Sequence, residues 1–117
     1  MNTITKEEQE VEVEYYKNGN KKYEYYYKDG KLNGVVTHWY EDGTKESEAH
    51  WKNGKLDGVS TFWYEDGTKG SEYYYKNGEE DGVFTDWYED GTKESEYYYK
   101  NGKIVKKYRY YPKGKSL

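Results

Sequence analysis

Few residues in this chain are of types that do chemistry, and the positions they occupy limit what they can do. His38 and His50 would fall on adjacent strands of one hairpin, and two imidazoles on one face make half of a zinc or copper site, with Glu48 as the nearest third ligand. The equivalent of His38 is Phe62 and then Asp86, however, and the equivalent of His50 is Tyr74 and then Tyr98, so no metal site is expected. Ser47, Ser71 and Ser95 recur at a single position, whereas a nucleophile needs a base and an orienting group around one particular serine. The carboxylates recur as Glu-Asp-Gly and Glu-Ser-Glu. A calcium loop needs several oxygen ligands in one short segment, and "WYEDGTKE" has too few, with a lysine among them. A glycosidase pair needs a desolvated cleft to raise one carboxyl pKa. Gly54-Lys55 lacks the strand, loop and helix of a phosphate loop. No catalytic set, cofactor or metal is expected.

The elements that would position these residues are repeated. Trp39, Trp63 and Trp87 recur at intervals of 24, and "YYKNG" at 15–19 lies a further 24 upstream of "WYEDG" at 39–43. Turn glycines fall at 19, 30, 43, 54, 67, 78, 91 and 102, alternately 11 and 13 apart, and "YPKG" at 111–114 closes the series one residue early. Asp-Gly and Asn-Gly supply positive φ cheaply between short runs rich in Tyr, Trp, Val and Thr, which reads as a string of β-hairpins. A glycine every dozen residues, each costing about 1 kcal/mol inside a helix, argues against helices. The expected fold is all-β: an elongated, open, largely single-layer antiparallel meander of eight to ten strands.

With 36% charged and 21% aromatic residues, including 18 Tyr and 4 Trp, the chain suits a thin structure better than a thick core. Net charge is −4, and lysine alternates with acidic residues, so nucleic acid and anionic membrane are not expected partners. The start "MNTITKEEQE" has no signal-like apolar stretch and there is no cysteine, which makes a cytoplasmic location the expectation. One domain is expected over 1–117. Residues 1–14 form an acidic N-terminal cap strand, 15–102 the hairpin repeats and 103–117 a degenerate C-terminal cap.

Which side chains share a face depends on whether the turns are two-residue loops or three-residue loops with a bulge. With "EDGT" bulged, Val35, Thr37 and Trp39 are expected beside Ala49 and Trp51, and likewise Val59, Thr61, Trp63, Tyr73, Tyr75, Val83, Thr85, Trp87, Tyr97 and Tyr99. The other face would then hold His38, Glu48, His50, Phe62, Glu72, Tyr74, Phe84, Asp86 and Tyr98, together with Val36, Tyr40, Ser60, Tyr64, Tyr88 and Glu96. Some of these change from unit to unit: 36, 60 and 84 read Val, Ser, Phe, and 38, 62 and 86 read His, Phe, Asp. Such variation reflects either plain solvent exposure or a surface fitted to a protein partner, and the first nine residues are the candidates for protein contact.

At 25–45, 49–69 and 73–93 the pattern aromatic-x-Asn/Asp-Gly-x-x-Asn/Asp-Gly-Val followed by Trp-Tyr-Glu-Asp-Gly resembles the MORN-variant repeat, in the form found in bacterial YwqK-like antitoxins. The resemblance covers roughly 15–115 and implies units that each stack only on their neighbours, with an interaction role and no chemistry. "KNGKIVKKYRYY" departs from it, since Val105 and Lys106 replace the second Asp-Gly, and "EEQEVEVE" precedes any recognisable unit. The resemblance implies a cognate protein partner, a basic toxin domain, which the acidic chain would occlude. The competing expectations are a carbohydrate or cell-wall binder and a self-associating scaffold or homodimer built on open sheet edges.

Overall fold

The computed structural model describes residues 8–112. Residues 1–7 and 113–117, including the ends of both expected caps and Lys113-Gly114 of the closing turn, lie outside the described residues. The strands are β1 (Gln9–Tyr15), β2 (Lys21–Lys28), β3 (Lys31–Leu32), β4 (Gly34–Trp39), β5 (Lys45–Lys52), β6 (Lys55–Trp63), β7 (Lys69–Lys76), β8 (Glu79–Trp87), β9 (Lys93–Lys100) and β10 (Lys103–Arg109). Nine of them form one antiparallel path in chain order, and β3 pairs with β2 beside that path. The sheet measures 72 × 41 × 13 Å, one layer thick, as the composition implied.

The two kinds of turn differ in chemistry. Asn53 (φ 49°) and Gly54 (φ 80°) are both left-handed, which makes the two-residue type I′ loop whose twist suits a tight hairpin. At the other end of the strands the Gly43 N–H donates to the Tyr40 carbonyl (3.0 Å) and the Tyr40 N–H to the Thr44 carbonyl (2.8 Å), enclosing a three-residue loop. The Asp42 carboxylate staples that loop by accepting the Thr44 N–H (2.9 Å) and hydroxyl (2.6 Å). Asp66 with Thr68 and Asp90 with Thr92 repeat the arrangement.

Bulges then set the faces. Beyond the three-residue loop Trp39 pairs with Lys45 but His38 with Ser47, so Glu46 is one residue in excess and alternation is inverted past it. Beyond the type I′ loop Trp51 pairs with Leu56 but Ala49 with Ser60, so Asp57, Gly58 and Val59 face His50 alone. That excess of two leaves alternation unchanged. Gly58 (φ 112°) has the place of its missing Cβ 3.3 Å from the His50 Cβ, so the bulge is closed by backbone lying against a side chain.

This register corrects the expected faces. Val35, Thr37 and Trp39 share a face with Glu48 and His50, whereas Ala49 and Trp51 lie with Val36 and His38. Tyr73 and Tyr75 pair with Ser60 and Gly58, and Tyr97 and Tyr99 with Phe84 and Gly82, all on the side opposite Trp63 and Trp87. The extra residue sits after the turn, in the strand, and this reverses the partnership across each hairpin with a three-residue loop.

The last hairpin has a shorter bulge. Ile104 pairs with Tyr99 and Lys106 with Tyr98, so Val105 alone is in excess where internal units have two extra residues. Lys106 occupies the place of Gly82, and a lysine cannot adopt that backbone cheaply, so the wide bulge contracts and β10 runs one residue early.

Units are tied along both long edges. The Tyr16, Tyr40 and Tyr64 hydroxyls donate to the carbonyls of Trp39, Trp63 and Trp87 in the next unit (2.6, 2.5 and 2.6 Å). At the other edge the Asn53 N–H donates to Asn33 Oδ1 and the Asn77 N–H to Asp57 Oδ1, both at 3.0 Å, and the Gly54 and Gly78 N–H groups donate to the carbonyls of Leu32 and Leu56. Each bond joins nearest neighbours, the one-dimensional logic of a repeat array. Among the described residues Val36 and Phe84 are the buried apolar side chains, and none is wholly enclosed.

Candidate functional site

The nine candidates divide between the two faces. His38, Phe62, Phe84 and Asp86 lie with Ser47, Ser60, Tyr73 and Tyr97 on what is here termed the variable face. Glu48, His50, Glu72, Tyr74 and Tyr98 lie with Val35, Thr61, Val59 and Val83 on the opposite, constant face. His38 and His50 are therefore on opposite sides of the sheet and cannot share a ligand. Among the described residues no three His, Cys, Asp or Glu side chains group as a metal site.

The constant face repeats one ion pair in every unit. Lys21 pairs with Glu24 (2.6 Å), Lys45 with Glu48 (2.7 Å), Lys69 with Glu72 (2.7 Å) and Lys93 with Glu96 (3.3 Å). The Lys21 ammonium bonded to Glu24 holds that carboxyl below its usual value, and the Tyr110 hydroxyl and then Lys93 do the same for Glu96. Glu48 and Glu72 are thus members of a scaffold ladder. His50 and Tyr74 cap the bulge glycines Gly58 and Gly82, and His50 Nδ1 lies 2.8 Å from the Val59 carbonyl. Tyr98 bonds weakly to Glu96 (3.4 Å) and meets Tyr108 edge-on.

The variable face carries unit-specific side chains in a fixed cross-strand frame. In the first unit the Tyr25 hydroxyl lies 2.9 Å from His38 Nε2, and the Ser47 hydroxyl 3.3 Å from Nδ1. In the third unit Asp86 stands in place of His38 and accepts the hydroxyls of Tyr73 (2.6 Å) and Ser95 (3.3 Å). The same tyrosine and serine positions thus bridge to an imidazole in one unit and a carboxylate in another, which marks Ser47 and His38 as a polar cross-strand contact and not a nucleophile pair. Burial, then the Asp86 carboxylate, raises the Tyr73 phenol well above the ordinary range, and burial raises Tyr75.

In the middle unit Phe62 takes the bridging position with Ala49 where the others have tyrosine, and it remains 37% exposed. Its ring occupies the space above Gly70, where a Cβ would come within 2.6 Å. Gly70 replaces the Glu46 and Glu94 of the neighbouring units. Phe84, a candidate for protein contact, is only 8% exposed, stacked on Tyr73 (centroids 4.5 Å), tilted against Tyr99 (4.5 Å) and edge-on to Tyr75 (5.2 Å). It is the floor of an aromatic patch whose upper surface is tyrosine.

Sequence reasoning missed two things here. Tyr40, Tyr64 and Tyr88 belong to the inter-unit ladder and not to a contact surface, and the signal was their invariance. Gly70 was visible as the one break in Lys-Glu-Ser-Glu, in the unit that also carries Phe62.

The model of the MORN repeat variant matches residues 32–53, 56–77 and 80–101, together more than half of the chain. This chain belongs to the MORN repeat variant family. Each matched stretch runs from the wide bulge through one bulged hairpin to the next type I′ turn, so the MORN unit and the structural unit coincide. Comparison with curated proteins and with solved structures gave no match. MORN repeats are generally protein- or membrane-binding modules and typically non-catalytic. The described residues contain no helix long and apolar enough to cross a membrane.

Proposed function

We propose that this MORN repeat protein is a non-catalytic protein-binding module that acts as an antitoxin or immunity protein, docking its variable face on a basic toxin domain and occluding the active site. The observation that carries the binding reading is the register. It gathers three of the positions that differ between units, 36/60/84, 38/62/86 and 49/73/97, onto one side of a sheet whose other side repeats Val, Thr, Trp and Glu and differs at His50, which is Tyr74 and Tyr98 in the following units. The net charge of −4 favours rapid encounter with a cationic partner, and Phe62 with the tyrosines offers the aromatic anchors that dominate interfaces. The antitoxin assignment rests on the resemblance to YwqK-like proteins.

The test is co-expression with the product of the adjacent gene, scoring rescue of growth and co-elution of the two chains. His38→Ala and Phe62→Ala should each weaken the complex by about 2 kcal/mol, roughly 30-fold in Kd, while retaining the strand signal in circular dichroism. Binding unaffected by changes on the variable face but abolished by changes at Tyr74 or Tyr98 would place the partner on the other side. Absence of rescue and of complex would remove the antitoxin reading.

A further inference from the structure

The two ends of the sheet carry opposite charge. β1 is one edge of the strand path and β10 the other, so among the described residues each has a side with no strand beside it. β1 and the residue before it present Glu8, Glu10, Glu12 and Glu14 with no cation, and β10 presents Lys103, Lys106, Lys107 and Arg109 with no anion. Few of these charges are satisfied internally. Glu12 accepts the Tyr23 and Tyr27 hydroxyls, and Glu14 lies 3.9 Å from Lys22. Lys106 and Lys107 lie over the Tyr108 and Tyr97 rings, and among the described residues none of the four β10 cations is ion-paired to a carboxylate. The same two edges carry the most exposed aliphatic side chains, Val11 (51%) and Val105 (65%).

We infer that the occupant of each edge is a second copy of this chain, β10 of one molecule pairing with β1 of the next. Like-charged edges repel, so β1 with β1 and β10 with β10 are both disfavoured, which excludes the two-fold dimer that an open sheet would otherwise form. Opposite edges attract. Every step along the path is antiparallel, and eight steps separate β1 from β10, so the two strands run in the same direction. A copy translated along the sheet therefore meets β10 in parallel and with its faces preserved. Glu10, Glu12 and Glu14 then lie on the same side as Lys107 and Arg109, because Glu12 pairs with Tyr25 and Glu14 with Tyr23, on the side of His38, while Lys107 pairs with Tyr97 and Arg109 with Ser95. The short bulge at Val105 is what puts Lys107 and Arg109 there. The contact is heterologous and does not close, so it builds a lengthening sheet whose variable face is continuous from molecule to molecule.

Sedimentation velocity on the full chain is the test. At low ionic strength the weight-average mass should rise with protein concentration from 14.1 kDa to at least twice that value, and at about 1 M salt, where the screening length is ~3 Å, it should return to the monomer. Glu10→Lys with Glu14→Lys should abolish association, as should Lys107→Glu with Arg109→Glu. An equimolar mixture of the two double variants should restore a lengthening assembly in which they alternate, since the basic β10 of the first meets the acidic β1 of the second and the acidified β10 of the second meets the lysines placed in β1 of the first. A wild-type mass independent of concentration at low salt overturns the inference without reference to any variant, as does association that persists at high salt. Either result leaves the toxin-binding proposal untouched, because that concerns a face and this an edge.

Discussion

Phe84 and Phe62 are the two phenylalanines of the chain, and the structure assigns them opposite roles that a pair of alanine substitutions separates. Phe84 is 8% exposed and touches three tyrosine rings, whereas Phe62 is 37% exposed with one ring neighbour, Tyr64, at 5.6 Å. A phenyl side chain carries about 200 Å² of surface, and at ~25 cal/mol per Å² nearly complete burial is worth up to ~5 kcal/mol. Alanine retains about a third of that area, leaving ~3 kcal/mol, and loss of the ring-ring contacts brings the expected cost of Phe84→Ala to about 4 kcal/mol. For Phe62→Ala the smaller buried area and single ring contact give about 2 kcal/mol. Urea unfolding followed by tryptophan fluorescence reads the difference. With a slope of about 2 kcal/mol per molar, the midpoints should fall by roughly 2 M and 1 M respectively. Equal shifts, or a larger one for Phe62→Ala, would refute the register that puts Phe84 beneath the tyrosines.

Gly70→Ala should destabilise by about 1 kcal/mol because its methyl group meets the Phe62 ring, and should cost little in a Phe62→Ala background; calorimetric melting of the four proteins gives the coupling, expected to exceed ~0.5 kcal/mol. Tyr40→Phe leaves the Trp63 carbonyl without its partner from the preceding unit and should cost about 1 kcal/mol, measured as a loss of denaturation midpoint. Acid should weaken the fold through the turn carboxylates. Bonds from Thr44, Thr68 and Thr92 hold Asp42, Asp66 and Asp90 below their ordinary values, so their stabilisation is present above the unfolded aspartate pKa and is lost as pH falls through the lower folded values. Thermal melts from pH 6 downward should show this loss, and replacing the three threonines by valine should flatten it. In alkali the Tyr110 phenol, bonded to Glu96, is pushed up to about 12, so its contribution is complete below the ordinary tyrosine pKa and is lost as pH rises through the folded value; absorbance titration of wild type and Tyr110→Phe isolates it.

The fold was legible because each local signal pointed the same way. Asn-Gly pairs such as Asn53-Gly54 specify a tight turn by φ alone, the 24-residue spacing of Trp39, Trp63 and Trp87 fixes the unit, and so little aliphatic volume cannot fill a second layer. The faces were not legible, because a face depends on how many residues are in excess between two turns, and nothing in the composition around Lys45-Glu46 shows that Glu46 is unpaired. For the same reason the candidate residues were split: His38 and Phe62 keep the variable surface expected of them, while Glu48 and Glu72 prove to be rungs of a ladder whose lysines, three positions earlier, were in plain view. Variation at 36/60/84 suggests a contact surface, yet a position can vary inward as well as outward when tyrosines cover it, as they do Phe84.

The contracted bulge at Val105 shows what chain length means in such a molecule. Losing one residue from a bulge leaves the ladder intact but turns the following strand over, so that side chains meant for one side arrive on the other. Within the array such a deletion would exchange front and back for every unit downstream, and the internal units all keep to 24. Among the described strands the deviation falls at the last, where only one strand is inverted. Residue number here acts as a reading frame for surfaces, and a frameshift does less harm the fewer strands lie downstream of it.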